Sequence, residues 1–288
     1  MAIEDVHWSR TLSAEWKTVH HELLQNVRRH PFVSQHERSV HTIIDGRKIY
    51  LPAYIPYIGP NYFRYRPRIL CYGINQNLSP HVHWTEVWVA RWAADMNAAR
   101  DRLNCDMYEG RPMPIRPYAE GFIPLVALIA SSRWSQTYGT CLPANIDEVV
   151  AVTNFVKFST AEDASSSSIP NIWWKECSSR YVEYEILVLR PDIIIGFGHR
   201  TLTELRRVLQ RGPLSAYRHE LLGCRFPGRM ASILTRPLSK EEFRVWHEKI
   251  LPLTAKMREP RGDLYHKCKV ERYPGYFTDV IARWGLTL

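Results

Sequence analysis

No stretch of the chain stays apolar for the ~20 positions that a membrane-spanning helix takes. The best run, Phe122–Ala130, is about half that length and holds Pro124. A helical membrane span is therefore excluded, and a soluble chain is expected. The opening residues, Met-Ala-Ile-Glu-Asp-Val-His-Trp, have no basic segment leading into an apolar one. A secretory signal is thus not expected, and the expected compartment is the cytoplasm. Cysteine is sparse: Cys71, Cys105, Cys141, Cys177, Cys224 and Cys268 lie far apart, with no C-x-x-C pair. That spacing argues for reduced thiols and against a metal or iron–sulfur site. His81 and His83 form an H-x-H, but no carboxylate or cysteine with ligand spacing accompanies them, so no metal and no other cofactor are expected. Internal repeats are absent, and the single low-complexity patch is Ala161–Pro170, read as a loop.

What the sequence does hold is a large core and an excess of base. Of 288 residues 45% are apolar, and 38 Lys and Arg against 29 Asp and Glu leave a net charge of +9. The aromatic share, 12%, is heavy in Trp (10) and Tyr (15). A basic, aromatic-rich surface suits a polyanion with stackable faces, which points to nucleic acid, although many ordinary enzymes are as basic.

Apolar positions at helical spacing (Leu12, Trp16, Val19, Leu23, Val27) predict an N-terminal helix over about residues 11–29, ending before Pro31. Residues between Pro31 and Pro67 are rich in Pro, Tyr and turn formers and read as an irregular wrapping arm. Four continuously apolar runs follow: Arg68–Gly73, Val149–Val156, Asp192–Gly198 and Met230–Thr235. Each precedes a loop and a helical pattern, at about Trp84–Arg102, Phe122–Ser131, Trp173–Leu189, Thr201–Gln210 and Lys240–Met257. That alternation predicts an α/β fold, with parallel strands buried on both faces and crossover helices between them. Residues 1–65 are expected to form an N-terminal extension, 66–258 the α/β domain, and 259–288 a C-terminal extension packed on it.

In an open parallel sheet, ligands bind where loops leave the carboxyl ends of the strands. The first run leads into Gly73-Ile74-Asn75-Gln76-Asn77, in which three uncharged carboxamides follow a permissive glycine. The bland reading is a turn that uses Asn for its tolerance of left-handed backbone. The second run ends Thr153-Asn154-Phe155-Val156-Lys157, with an Asn inside an apolar strand that must find partners, as a structural clamp or as a reader of a base edge. The fourth leads into Leu234-Thr235-Arg236-Pro237-Leu238-Ser239, where Ser239 and Glu242 have the spacing of a capping box. Gly196-Phe197-Gly198 is a strand-to-helix turn without the rest of a dinucleotide fingerprint.

Taken together, these segments resemble the uracil-DNA glycosylase superfamily over about residues 66–246. RILCYGINQN is similar to the strand-Gly-Ile-Asn-Pro-Gly motif of the mismatch-specific branch, and VTNFVK to the Thr-Asn-x-Val-Lys stretch of the thermophile-type branch. Cys177-x3-Tyr181, Glu185 and LRPDIIIGFG resemble the helix and third strand of that branch, and LTRPLS the His-Pro-Ser-Pro-Leu-Ser loop. The resemblance implies a three-layer α/β/α fold around a four-stranded parallel sheet. It also implies a monofunctional DNA glycosylase that flips a pyrimidine out of DNA and hydrolyses its N-glycosidic bond to leave an abasic site. Asn75, with Gln76 beside it, would position the attacking water. Asn154 and Asn77 would face the flipped base, and Phe122, or failing that Trp84, would stack on it. Leu238 would wedge into the vacated space, with Arg236, Pro237, Ser239 and Lys157 on the DNA. The expected partner is duplex DNA, or single-stranded DNA, bound by a monomer.

The departures also carry information. Gln76-Asn77 replace Pro-Gly, Leu234 stands where the family has its histidine, and Arg236 replaces a serine. Phe158 stands where an iron–sulfur ligand would fall, and only Cys177 matches one, so no cluster is expected. Such a remodelled pocket suggests a modified cytosine, such as the glucosylated hydroxymethylcytosine of phage DNA, as in members that serve anti-phage defence. A uracil or mismatch repair enzyme and a catalytically inactive DNA-binding module on the same fold are the alternatives.

Overall fold

The computed structural model describes residues 13–28, 41–44, 47–50, 56–59, 61–64, 66–75, 126, 129, 150–157, 169, 171–224, 237–252 and 274–285. Helix α1 (Ala14–Arg28) forms where the apolar spacing predicts it, with the Ser13 hydroxyl accepting the Trp16 amide at 3.1 Å. Val19 and Leu23 of this helix are buried, and the Trp16 indole donates to the Ile58 carbonyl at 2.9 Å.

The arm that follows is more regular than its composition suggests. Strands β1 (His41–Ile44) and β2 (Arg47–Tyr50) pair antiparallel. They flank Asp45-Gly46, the dipeptide that tight hairpin loops favour. A short strand β3 (Tyr57–Ile58) joins the main sheet antiparallel to β5 (Val150–Val156).

The main sheet has the order β3-β5-β4-β6-β7, with β4 at Ile69–Asn75, β6 at Ile193–Phe197 and β7 at Glu220–Cys224. Its last four strands are all parallel. Three fall on the predicted apolar runs. The fourth does not: β7 lies upstream of Met230–Thr235, which is outside the described residues, as are the segment 84–102 predicted as a helix and nearly all of the segment 161–170 predicted as a loop.

The connection from β5 to β6 includes α2 (Asn171–Cys177). It widens through a π-helical turn at Ser178–Val182 and continues as α3 (Glu183–Leu189), close to the predicted bounds. Arg190 ends α3 in the left-handed conformation, φ 47°, ahead of Pro191. Helix α4 (His199–Leu209) links β6 to β7. Later in the chain come α5 (Lys240–Val245), which runs on as a π-helical turn to Ile250, and α6 (Pro274–Arg283).

Leu70, Tyr72, Ala151, Phe155 and Ile194 form one core with α1, α2, α3 and α4. On the opposite face, Ile69, Cys71, Val150, Val152, Ile195 and Phe197 are buried as well. Both faces of the parallel sheet are thus covered, which makes the architecture a three-layer α/β fold. Val126 and Ile129 are helical and buried, and the Trp284 indole after α6 donates to the Gly223 carbonyl of β7 at 3.0 Å. No described helix is long and apolar enough to cross a membrane.

Candidate functional site

The two ends of the parallel sheet are built differently. At the amino end, the Asp192 carboxylate accepts from the Arg68 amide at 2.7 Å and from Arg66 Nη1 at 2.9 Å, a latch between the starts of β4 and β6. At the carboxyl end stand two of the polar residues that the sequence singles out, Asn75 and Asn154. The register sets Asn154 of β5 opposite Gly73 of β4, and Asn75 of β4 opposite Val156. The two asparagine positions therefore lie on neighbouring central strands, two rungs or roughly 7 Å apart along the strand direction.

Alternation along β5 sorts its side chains. Ala151, Thr153, Phe155 and Lys157 turn toward the α2–α3 layer, where the Phe155 ring stacks on Trp174 at 5.2 Å; Asn154 turns toward the other face and is buried. Lys157 therefore does not join the DNA contacts expected of it. It is fully buried, and its ammonium donates to Glu185 of α3 at 2.7 and 2.8 Å, to Thr153 Oγ1 at 2.7 Å and to the Asn154 carbonyl at 2.5 Å. The reason is the strand period, which carries the residue after the last rung of β5 inward to the helix layer. Glu185 also accepts from the Tyr72 hydroxyl at 3.1 Å, and the Lys157 amide donates to Cys177 Sγ at 3.4 Å.

Burial pushes the Lys157 ammonium below its ordinary range and the Glu185 carboxyl above its own, while the attraction between the two charges opposes both displacements. Burial, and then the Glu185 charge, raise the Tyr72 phenol well above its ordinary value. Tyr72 is marked by no motif in the sequence, and Thr153 and Glu185 are marked only by the resemblance. Their signal is a polar side chain inside an otherwise apolar run.

The loop toward α5 carries the other described candidates. Pro237 is exposed, Leu238 is half-buried and Ser239 caps α5. The capping box forms as its spacing predicts: Ser239 Oγ accepts the Glu242 amide at 3.3 Å and Glu242 Oε2 accepts the Ser239 amide at 2.8 Å. Gly198, at φ 93°, turns the chain from β6 into α4, so the G-x-G is a strand-to-helix turn. Gln76, Asn77, Phe122, Trp84, His81, His83, Leu234 and Arg236 lie outside the described residues. Cys71, Cys177 and Cys224 are buried free thiols, and no group of three His, Cys, Asp or Glu among the described residues could hold a metal ion.

Comparison of the chain with family models, curated proteins and solved structures finds no match.

Proposed function

We propose that the chain is a monofunctional DNA glycosylase acting on a modified pyrimidine, a glucosylated or hydroxymethylated cytosine of phage DNA being the substrate that suits its departures from the uracil motifs. One observation carries the reading: two asparagine positions, Asn75 and Asn154, stand at the carboxyl ends of adjacent central parallel strands, the edge where such sheets bind ligands. Breaking an N-glycosidic bond passes through a cationic sugar and a departing base anion. A neutral carboxamide at Asn75 is enough to orient water onto that cation, because the cation needs only a weak nucleophile. A second carboxamide at Asn154 both donates and accepts, as the edge of a pyrimidine requires. The buried state of Lys157 favours hydrolysis over Schiff-base chemistry, since an ammonium enclosed by Glu185 and Thr153 does not reach a sugar carbon. The base must leave the stack to be cut, and Leu238 is the side chain proposed to fill the gap.

The second reading, an inactive DNA-binding module, is favoured by Leu234 in place of the motif histidine. Single-turnover assays on duplexes carrying uracil, hydroxymethylcytosine or its glucosylated form, followed by alkali cleavage, separate the readings. The expected result is alkali-labile sites with one modified cytosine, lost in Asn75→Ala while duplex binding stays within a few fold. Uracil excision alone favours repair, and binding without cleavage of any substrate favours the inactive module.

A further inference from the structure

A buried ion pair is a poor device for stability alone. Removing two charges from water costs several kcal/mol per ion, and well-packed apolar replacements often do as well or better. The Lys157–Glu185 pair is fully enclosed. Its contacts nevertheless converge on one place: the ammonium meets the side chain of Thr153 and the carbonyl of Asn154, and Glu185 reaches across to Tyr72 of β4. The pair thereby ties α3, β4 and β5 together at the peptide that carries Asn154. Because the Asn154 side chain leaves the sheet on the opposite face, the tie acts through the backbone and occupies none of the space that the carboxamide faces.

We infer that Lys157 and Glu185 are positioning residues whose task is to fix the peptide of Asn154, and with it the direction in which the Asn154 carboxamide meets a base. The assignment rests on the glycosylase reading only for the identity of what Asn154 meets.

The test compares wild type with Lys157→Met/Glu185→Leu, Asn154→Ala and the triple variant, in protein labelled with 15N-asparagine. The Asn154 amide and side-chain signals are identified by their loss in Asn154→Ala. In the pair variant they are expected to shift or broaden, while the signals of Asn26 and Asn171 stay in place. On whichever modified-cytosine duplex the wild type cuts, the pair variant should lose about a hundredfold in kcat with KM little changed, the size of loss that misplacement by an ångström produces. Adding Asn154→Ala should then lower the rate no further. Unmoved Asn154 signals, or rate losses that multiply in full, overturn the inference. If the wild type cuts no substrate, the glycosylase reading fails and the asparagine signals alone decide the positioning role. If the pair variant does not fold, Thr153→Val, which removes one acceptor, carries the same comparison: a smaller shift of the same signals supports the inference, and none overturns it.

Discussion

Cys177 sits where α2 widens into its π-helical turn, fully buried, its sulfur accepting the amide of Lys157. Burial pushes its thiol up to about 12, and Cys71 is raised well above its ordinary value for the same reason. The thiolate is the reactive form, so iodoacetamide at pH 8 should leave both unmodified in the native protein and label them once it is unfolded, as peptide mass spectrometry would show. The linkage to stability has a definite sign. The folded state keeps the Cys177 proton to higher pH than the unfolded chain does. The associated stability is therefore complete below a pH of about 9 and is lost as pH rises toward about 12, at about 1.4 kcal/mol per unit. Tyr62 and Tyr72 are raised by burial too and act in the same direction. Urea midpoints should fall between pH 8 and pH 11, and less steeply in Cys177→Ala; equal slopes would contradict the burial argument. The ion pair beside this thiol has its own signature. Glu185→Leu alone leaves a buried ammonium without its carboxylate and should cost about 3–5 kcal/mol in denaturant unfolding, whereas adding Lys157→Met should restore most of it.

Helix α4 lies close on its strands because two registered glycines, Gly196 of β6 and Gly223 of β7, present no side chain to it. A Cβ at Gly196 would stand 2.9 Å from Leu205 Cδ1 and 3.4 Å from Leu202 Cα, and one at Gly223 would run into the Leu202 side chain. Gly223→Ala should therefore destabilise by about 1–3 kcal/mol, the usual cost of overpacking. Leu202→Ala in the same chain should recover part of that loss; additive losses in chemical denaturation would show that the two residues do not meet. The same elements explain what the sequence makes legible. Strands β4, β5 and β6 are continuous apolar runs between turn residues, the mark of strands covered on both faces, and they are found where predicted. Strand β7 escapes because Glu220 and Gly223 break its apolar character and it is only half-buried. The β1–β2 hairpin escapes because the proline and tyrosine content around it outweighs the Asp45-Gly46 signal. At the carboxyl edge, Asn75 and Asn154 stand out as polar residues at the ends of apolar runs. Lys157 invites a surface reading because a cation after a strand usually meets solvent. Counting by twos from Thr153 through Phe155 is what sends it inward, toward a glutamate 28 residues away that spacing alone does not pair with it.

At the scale of the whole molecule the governing quantity is the surplus of base, +9 before its 12 histidines are counted. With Lys157 neutralised inside the fold by Glu185, the excess is carried by other lysines and arginines, several of them exposed on described helices, such as Lys175, Arg206 and Lys240. If the partner is DNA, those cations displace counterions from the phosphates, and log affinity falls linearly with log salt at about 0.9 per phosphate contacted on duplex and about 0.7 on single strands. A footprint of roughly six contacts would weaken binding about a thousandfold between 50 and 200 mM salt. Asn75→Ala is the protein to use, because turnover then does not deplete the complex and the substitution removes no charge. Titrating it against one duplex with a central hydroxymethylcytosine and against the same sequence unmodified gives two lines. They should be steep and parallel, since phosphate contacts set the slope, and offset by the contribution of the flipped base, which carries no counterion. Lines with different slopes would mean that the modified base recruits new phosphate contacts. A flat response would mean that the positive charge serves a partner other than a polyanion, and the DNA reading would fall with it.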